Sequence, residues 1–205
     1  MIIRRSFSFC AAHIVRNCTS LRCSRSLHGH NYKVEIFLKA DRLDNAGMIL
    51  DFGIFKKEIA TFIDSFDHAH HFWNREAEEW KEFCKKASKR YVELCLNPSA
   101  ENYALIFLFF IDKILGAMEF GNNEGALWVD SVRVHETDHG YAQAFAQDLQ
   151  NPNFLKHLSL DGVCFSPGIT EEWQDPQLLQ KLKNYYKDPT LPKPFVNPSP
   201  EQQIS

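Results

Sequence analysis

The sequence lacks the long apolar segment and the positive charge that would place it among membrane or nucleic-acid-binding proteins. No stretch of its 205 residues approaches the roughly 20 consecutive apolar residues of a membrane helix, and the longest apolar run, residues 104–111, suits a buried helix face. The net charge of -3 provides no basic footprint for nucleic acid and no polybasic patch for a membrane surface. Arg4 and Arg5 are not followed by the apolar run of a signal peptide, so we expect a cytoplasmic protein.

Paired cysteines are also missing. The six cysteines form no CxxC motif, and a chain with 44% hydrophobic residues can fill a core without cross-links. We therefore expect most of the thiols to be free in a reducing compartment. Phenylalanine is abundant, with 17 residues, and predicts a core rich in that side chain.

Two segments near the start alternate apolar and polar residues with the period of a β-strand. They cover residues 2–13 and residues 28–40, and a polar loop separates them. Residues 127–137 and 141–145 are predicted as two further strands. Strands that follow each other along the chain in this way favour antiparallel pairing.

Helical periodicity occupies the region between these strand pairs. Asp51 is a candidate N-cap for a helix that continues to Phe66. An apolar stripe predicts a second helix over residues 76–96, and Ser99 is placed to cap a third helix over residues 100–115. Together with the strands, these helices predict an α+β fold with an antiparallel sheet.

Two features of these regions leave alternatives open. The stripe of the second helix, which includes Trp80 and Tyr91, could equally pack against a partner helix. Most of the nine prolines lie beyond residue 150, where we expect loops, one helix over residues 176–187, and disorder in residues 194–205.

The segment around residue 29 contains the strongest indication of chemistry. His28 and His30 are two residues apart on a predicted strand, so their imidazoles point to the same side and can share one ion. His13 ends the preceding strand and can complete the set if the two strands form a hairpin. Three histidines with an open fourth position are typical of catalytic zinc, although nickel, copper or iron could use the same ligands. The alternatives are polar strand-end residues and a structural zinc, which usually requires several cysteines.

A thiol and a carboxylate–imidazole pair lie near this segment. Cys23 precedes the HGH motif and is flanked by arginines, so it is a candidate base or nucleophile, with Cys10 and Cys18 as competitors and a plain loop cysteine as the alternative. Asp67 next to His68 can set the tautomer of the imidazole and raise its basicity. The alternatives for His68 are a helix-end histidine and a second metal site that combines His68, His70 and His71.

Glu136 is the remaining candidate. By strand alternation it shares a face with Val132 and Val134, where an acid is costly unless it is paired. A ligand with adjacent N–H donors would satisfy both carboxylate oxygens. If the strand ends earlier, Glu136 instead points to solvent.

The residues in this order resemble the 6-pyruvoyltetrahydropterin synthase family, which includes the bacterial 6-carboxytetrahydropterin synthases of the queuosine pathway. The resemblance covers residues 1–146, and each motif alone is weak whereas the ordered set is specific. The motifs are FSFCAAH at 7–13, Cys23, HGHNY at 28–32, GMILDF at 47–52, DH at 67–68, PSAEN at 98–102 and ET at 136–137.

The resemblance implies a role for each candidate. It implies zinc bound by His13, His28 and His30. It implies that Cys23 removes a proton from the substrate side chain. It implies that Asp67 and His68 form a proton relay, and that Glu136, beside Thr137, anchors a pterin ring and helps in the proton relay.

The resemblance also implies the architecture. The family has a tunnelling fold, in which antiparallel strands with helices on one face close into a barrel made from several subunits. Active sites then lie between subunits of a homo-oligomer, a hexamer or another closed ring. Residues 1–146 would form this domain, with a helical insertion at about residues 73–97, and residues 147–205 would be a partly disordered extension.

The implied substrate is 7,8-dihydroneopterin triphosphate. We favour the carboxy branch, a lyase that yields 6-carboxytetrahydropterin, acetaldehyde and triphosphate. The pyruvoyl branch, which eliminates triphosphate, and an aldolase-like cleavage of dihydroneopterin are alternatives. A further alternative is a non-catalytic zinc- or pterin-binding protein whose insertion and tail serve a partner.

Overall fold

The computed structural model describes residues 1–197. Nine β-strands are formed in this part of the chain: β1 (Ile2–His13), β2 (His28–Ala40), β3 (Ala69–Trp73), β4 (Tyr91–Leu94), β5 (Met118–Phe120), β6 (Leu127–Thr137), β7 (Gly140–Phe145), β8 (Val163–Phe165) and β9 (Phe195–Asn197). The α-helices are α1 (Leu21–Arg25), α2 (Glu58–Asp64), α3 (Glu78–Ala87), α4 (Ala100–Gly116), α5 (Pro152–Leu155), α6 (Pro167–Thr170) and α7 (Leu178–Lys187). Within residues 1–197, no helix is long and apolar enough to cross a membrane.

Seven of the strands form one sheet in the order β7-β6-β2-β1-β3-β4-β8. The contacts from β7 to β1 are antiparallel, as is β4 with β8, whereas β3 is parallel to both of its neighbours. The α+β class is therefore confirmed, and the sheet is mostly rather than entirely antiparallel. All four strands predicted from alternation are present.

The core lies between the sheet and α4, the longest helix. Phe9 from β1 packs edge-on to Phe107 of α4, and Phe62 of α2 stacks on Phe110 at a centroid distance of 4.5 Å. These rings are fully buried, which confirms the prediction of a phenylalanine-rich core. Large aromatic side chains bury much apolar area each, so this layer is the main source of hydrophobic stabilisation.

The predicted helix caps form, but the first helix is interrupted. The side chain of Asp51 accepts from the Gly53 N–H and begins a 3-10 helix, Phe52–Lys56. Lys57 then leaves helical geometry, with φ -109° and ψ -111°, before α2 begins. Ser99 caps α4 by accepting from the Asn102 N–H.

The predicted helix over residues 76–96 is wrong in its second half. Helix α3 ends at Ala87, and Tyr91–Leu94 forms β4 between β3 and β8. Trp80 packs on His70 of β3, so the stripe is used within the chain.

Helix α3 also lies on the other side of the sheet from α4. His70 and Ala12 are register partners, and both face away from Ala11 and Ala69, whose side chains enter the core. Because Cys84 of α3 contacts His70, the expectation of helices on one face holds for α2 and α4 and fails for α3.

The segment after residue 146 is built into the same structure. β8 extends the sheet beyond β4, and Tyr186 of α7 donates to the Lys113 carbonyl on α4. β9 pairs with β5, so the expectation of disorder in residues 194–205 is wrong at Phe195–Asn197. Residues 198–205 lie outside the described part of the chain.

Candidate metal centre and active site

The three candidate histidines converge at one end of the β1–β2 pair. The register sets His13 opposite His28 and sets Ala11 opposite His30, so all three imidazoles lie on the core face of the sheet. Ring centroids are 4.5 Å apart for His13 and His28 and 5.2 Å apart for His28 and His30. One ring nitrogen of each lies within 4.8 Å of the others. We call His13, His28 and His30 the histidine cluster.

Gly29 explains the spacing of the HGH motif. A Cβ atom at this position would lie 2.9 Å from the Ala11 carbonyl oxygen, closer than side chains approach a backbone. Glycine therefore lets β2 approach β1 between the two histidines. The strand pairing that brings His28 and His30 to His13 depends on this close approach.

Backbone carbonyls fix the orientation of two of the imidazoles. His13 donates from Nδ1 to the Pro98 carbonyl at 2.6 Å, and His28 donates from Nδ1 to the Ser26 carbonyl at 2.8 Å. Burial lowers the pKa of His13 to about 4, although the bond to Pro98 opposes that shift. His13 is therefore neutral at pH 7, and its Nε2 keeps a lone pair. Neutral imidazoles oriented by outer hydrogen bonds suit zinc, so the donor set fits that metal.

The PSAEN segment positions the carbonyl that holds His13. Asn102 donates from its side chain to the Asn97 carbonyl at 2.8 Å, and Asn97 exchanges two hydrogen bonds with the backbone of Arg16. These bonds join the start of α4 to the segment that follows β1. The motif thus has a local structural reason: it fixes Pro98 relative to His13.

Glu136 lies at the histidine cluster, on the face that strand alternation predicts. Its Oε1 is 3.8 Å from His30 Nε2 and 3.9 Å from His13 Nε2, and 36% of its side chain is exposed. The carboxylate therefore borders the cluster and is still open to a ligand. Thr137 is placed differently, because its hydroxyl accepts from the His139 N–H in the turn between β6 and β7.

Asp67 and His68 form a second site. His68 donates from Nδ1 to Asp67 Oδ2 at 2.7 Å, and the Cys10 N–H donates to Asp67 Oδ1 at 2.6 Å. Burial acts to raise the pKa of Asp67, but the hydrogen bonds from Cys10 and His68 outweigh it and leave this pKa below its usual value. His68 has φ 50°, a left-handed conformation that turns its ring out towards solvent.

The thiol at this second site belongs to Cys10, not to Cys23. Cys10 Sγ lies 3.6 Å from His68 Nδ1 and 3.8 Å from His68 Nε2. Cys23 is held beside the end of β1, where its carbonyl accepts from the Val15 N–H at 2.9 Å. Within residues 1–197, Cys23 is in neither group of converging ligand atoms.

The two sites lie on opposite faces of the sheet. Cys10 pairs with Asn31, between the pair of Phe9 with Tyr32 and the pair of Ala11 with His30. Because successive side chains alternate, Cys10 points away from the histidine cluster. The Asp67–His68 pair is therefore separated from the histidine cluster of the same chain by β1.

The alternative metal site at His68, His70 and His71 is wrong. His71 is buried on the core face, where it accepts from the Tyr103 hydroxyl at 2.6 Å and donates to the Phe66 carbonyl at 3.0 Å. His70 points the other way and contacts Cys84 at 3.6 Å. Adjacent strand residues face opposite sides, so these imidazoles cannot converge.

The turn that presents Asp67 and His68 is held from outside. Arg90 precedes β4 and donates to the Asp67 carbonyl at 2.9 Å and to the Asp64 carbonyl at 3.1 Å. Its third contact is an ion pair with Glu172, which follows α6. The insertion and the C-terminal extension therefore both reach this turn.

A second bond from the extension supports the same turn. Trp173 donates from its indole to Ser65 Oγ at 2.8 Å, and Ser65 in turn donates to the Thr61 carbonyl at 2.7 Å. Ser65 is the C-cap of α2, two residues before Asp67. Both partners of this bond are buried, which strengthens the connection.

Solved structures share the fold. An uncharacterized protein from Wolinella succinogenes aligns over 71% of this chain and 98% of its own, with a TM-score of 0.57 and 21% identity. The 6-pyruvoyl tetrahydropterin synthase from Plasmodium vivax aligns over 70% of this chain and 97% of its own, with a TM-score of 0.51 and 20% identity.

Sequence comparison is more specific. Two relatives from Helicobacter pylori, each named 6-carboxy-5,6,7,8-tetrahydropterin synthase, are 53% and 51% identical over 182 residues, or 89% of this chain and 91% of theirs. The model of the family described as 6-pyruvoyl tetrahydropterin synthase matches residues 2–147. The chain belongs to the 6-pyruvoyl tetrahydropterin synthase family.

Proposed function

We propose that this protein is a zinc-dependent 6-carboxy-5,6,7,8-tetrahydropterin synthase, a lyase of queuosine biosynthesis. It would convert 7,8-dihydroneopterin triphosphate to 6-carboxytetrahydropterin, acetaldehyde and triphosphate. The observation that carries the proposal is the 53% identity over 89% of the chain to a relative of that name. The geometry of the histidine cluster, Glu136 and the Asp67–His68 pair supports it.

The candidate catalytic residues would each have a task in this reaction. Zinc at the histidine cluster would polarise the hydroxyls of the substrate side chain and favour loss of their protons. Cys23 would remove a proton from carbon, since α1 holds it beside the end of β1. His68, kept in one tautomer by Asp67, would return a proton to the substrate.

Glu136 would bind the pterin ring. A carboxylate accepts two parallel hydrogen bonds, which matches adjacent N–H donors on the pyrimidine edge of a pterin. Its position 3.8 Å from His30 Nε2 would set the ring so that the substrate side chain extends towards the histidine cluster. Glu136 would therefore orient the substrate. Holding the reacting groups in the correct geometry contributes strongly to the rate.

The opposite placement of the two sites supports an active site shared between protomers. One protomer's Asp67–His68 pair cannot reach its own histidine cluster around β1, so it would serve the cluster of a neighbour. The sheet offers edges for such contact: β7 is a terminal strand, and β3 pairs with β1 only at Ala11 and Ala12. Pairing of open edges would close a homo-oligomeric ring, such as a hexamer, and remove the exposed strands.

Identification of the reaction products tests the proposed function. Purified, zinc-loaded protein is incubated with 7,8-dihydroneopterin triphosphate, and the products are identified by mass spectrometry. Acetaldehyde together with 6-carboxytetrahydropterin is the expected result. A pyruvoyl product with released triphosphate would assign the pyruvoyl branch instead. Binding without turnover would favour a non-catalytic pterin-binding protein.

The contacts of Arg90 lead to a prediction for turnover. Arg90→Met removes two hydrogen bonds to the turn that presents His68, each contributing about 1 kcal/mol. We expect Tm to fall by about 4–8 °C. Displacement of His68 by a fraction of an ångström is expected to lower kcat about 10- to 100-fold.

The matched control is Arg75→Met. Arg75 is exposed and contacts His157 and the Trp73 ring, away from both sites. Thermal unfolding, zinc content and steady-state kinetics are compared for the two variants. Unchanged zinc content with a kcat loss only in Arg90→Met indicates a positioning role, whereas equal kcat in both variants contradicts it.

A further inference from the structure

Cys10, Asp67 and His68 form the second group of converging metal-ligating side chains within residues 1–197. One ligand atom of each lies within 4.8 Å of the others. The backbone fixes the group, because the His68 N–H donates to the Cys10 carbonyl at 2.8 Å and the Cys10 N–H donates to Asp67 Oδ1 at 2.6 Å. β1 and the turn after α2 are thereby locked together at the site.

The spacing suits a tetrahedral cation. Zinc bonds of about 2.3 Å to sulfur and about 2.0 Å to nitrogen place the two ligand atoms roughly 3.5 Å apart at a tetrahedral angle. Cys10 Sγ is 3.6 Å from His68 Nδ1, and Asp67 Oδ2 is 2.7 Å from the same nitrogen. Because Cys10 Sγ is nearly as close to His68 Nε2, at 3.8 Å, the exposed imidazole has to turn Nδ1 towards the sulfur, and the carboxylate has to move by a few tenths of an ångström.

We propose that Cys10 Sγ, His68 Nδ1 and a carboxylate oxygen of Asp67 bind a second divalent cation of the zinc type. On binding, the Cys10 thiol loses its proton to solvent, and His68 moves its proton from Nδ1 to Nε2. Water fills the fourth position. The His68 side chain is 76% exposed, which gives the ion a path from solvent.

The donor set selects the class of ion. A thiolate with an imidazole and one carboxylate favours zinc, cobalt or cadmium over magnesium and calcium, which prefer oxygen ligands. The histidine cluster has no sulfur, so the two sites differ in chemistry although they lie on the two faces of one strand. Only the Cys10 site is expected to form a metal–thiolate bond.

Occupation of this site has a regulatory consequence that depends on the proposed function. A cation on Nδ1 displaces the hydrogen bond with which Asp67 holds His68, and it places positive charge next to the imidazole. His68 can then no longer take part in the proton relay as described above. Excess zinc is therefore expected to inhibit the enzyme, whereas zinc at the histidine cluster activates it.

The absorption spectrum of bound Co2+ distinguishes the two metal sites without an assay of turnover. Metal-free protein is titrated with Co2+ while the absorption spectrum is recorded. The histidine cluster gives only weak visible bands, and the Cys10 site gives an intense near-ultraviolet sulfur-to-cobalt charge-transfer band at a second equivalent. We expect Cys10→Ser to abolish that band and to keep the visible bands, which also report that the variant is folded.

Three further variants sharpen the result. His68→Ala is expected to weaken the second site at least about tenfold, as loss of a ligand or its partner commonly does. Cys164→Ser is the matched control, because Cys164 is an exposed thiol outside both groups, and it should keep the band. Cys23→Ser should also keep it.

Two outcomes overturn the proposal. One is the absence of a charge-transfer band in unmutated protein at excess Co2+. The other is a band that survives Cys10→Ser and disappears in Cys23→Ser, which would assign the thiolate to Cys23. Neither outcome bears on the product assay, so failure of this site and failure of the proposed function are distinguishable.

Discussion

The His30→Ala protein is expected to be folded, to lose its zinc on dialysis and to have almost no turnover. His30 completes the histidine cluster from β2, with its ring centroid 5.2 Å from that of His28. Two remaining imidazoles bind zinc weakly, since catalytic sites use three protein ligands. A Lewis acid contributes several kcal/mol, so we expect a loss in kcat of at least about a thousandfold.

His30 is the histidine chosen for substitution because its loss should affect zinc binding and catalysis without unfolding the protein. His13 is fully buried, and its removal would leave a cavity and an unpaired Pro98 carbonyl, whereas His30 is partly exposed. Circular dichroism, zinc content after dialysis and turnover are measured together. His157→Ala is the control, because within residues 1–197 the side chain of His157 forms a hydrogen bond only with Arg75. Full zinc and full turnover in His30→Ala would remove the histidine cluster from the mechanism.

The histidine cluster could be predicted from the sequence because it depends on local rules. Alternation places His28 and His30 on one face, and a hairpin places His13 opposite His28, as the register shows. Glu136 follows in the same way from the alternation of β6. These predictions need only the strand period and the pairing of consecutive strands.

The apolar spacing of the insertion does not decide between helix and strand. Trp80 and Cys84 belong to α3, but Tyr91 is the first residue of β4 and the register partner of His70 on the parallel strand β3. Pairing with β3 and β8 makes residues 91–94 a strand, and neither partner is adjacent in the sequence. Tertiary pairing overrides local periodicity in such short segments.

The role of Cys10 could not be predicted from its distance along the sequence to the other candidate residues. Cys23 precedes the HGH motif, and the sequence therefore favours it as the reactive thiol near the histidines. Alternation could have placed Cys10 on the face away from His13, but not against His68, which follows it by 58 positions. That contact requires the parallel arrangement of β1 and β3 and the left-handed turn at His68.

A mixture of two inactive variants is expected to regain activity. His30→Ala lacks the histidine cluster, and His68→Ala lacks the proton relay, so each alone should be nearly inactive. If the relay of one protomer serves the cluster of its neighbour, some interfaces in a mixed oligomer contain one intact copy of each. With equal amounts and random assembly, about one interface in four is intact, so about a quarter of the unmutated turnover should return.

Recovery of activity is expected because the two sites lie on opposite faces of β1. Cys10, which contacts His68, and Ala11, which is opposite His30, are adjacent residues on one strand and point to opposite sides. A site within one protomer would require His68 to pass through the sheet. The variants are unfolded together, refolded together and checked for mixed oligomers by native mass spectrometry before turnover is measured.

The control is a double variant with both substitutions in one chain, mixed with unmutated protein. Every interface that includes the double variant then loses one half of the site, while interfaces between unmutated protomers keep both, so the same quarter of turnover is expected. Mixed oligomers of the single variants that show no recovery would mean that each active site draws all its residues from one protomer. His68 would then have to reach the histidine cluster by a rearrangement of the turn that Arg90 and Trp173 hold in place.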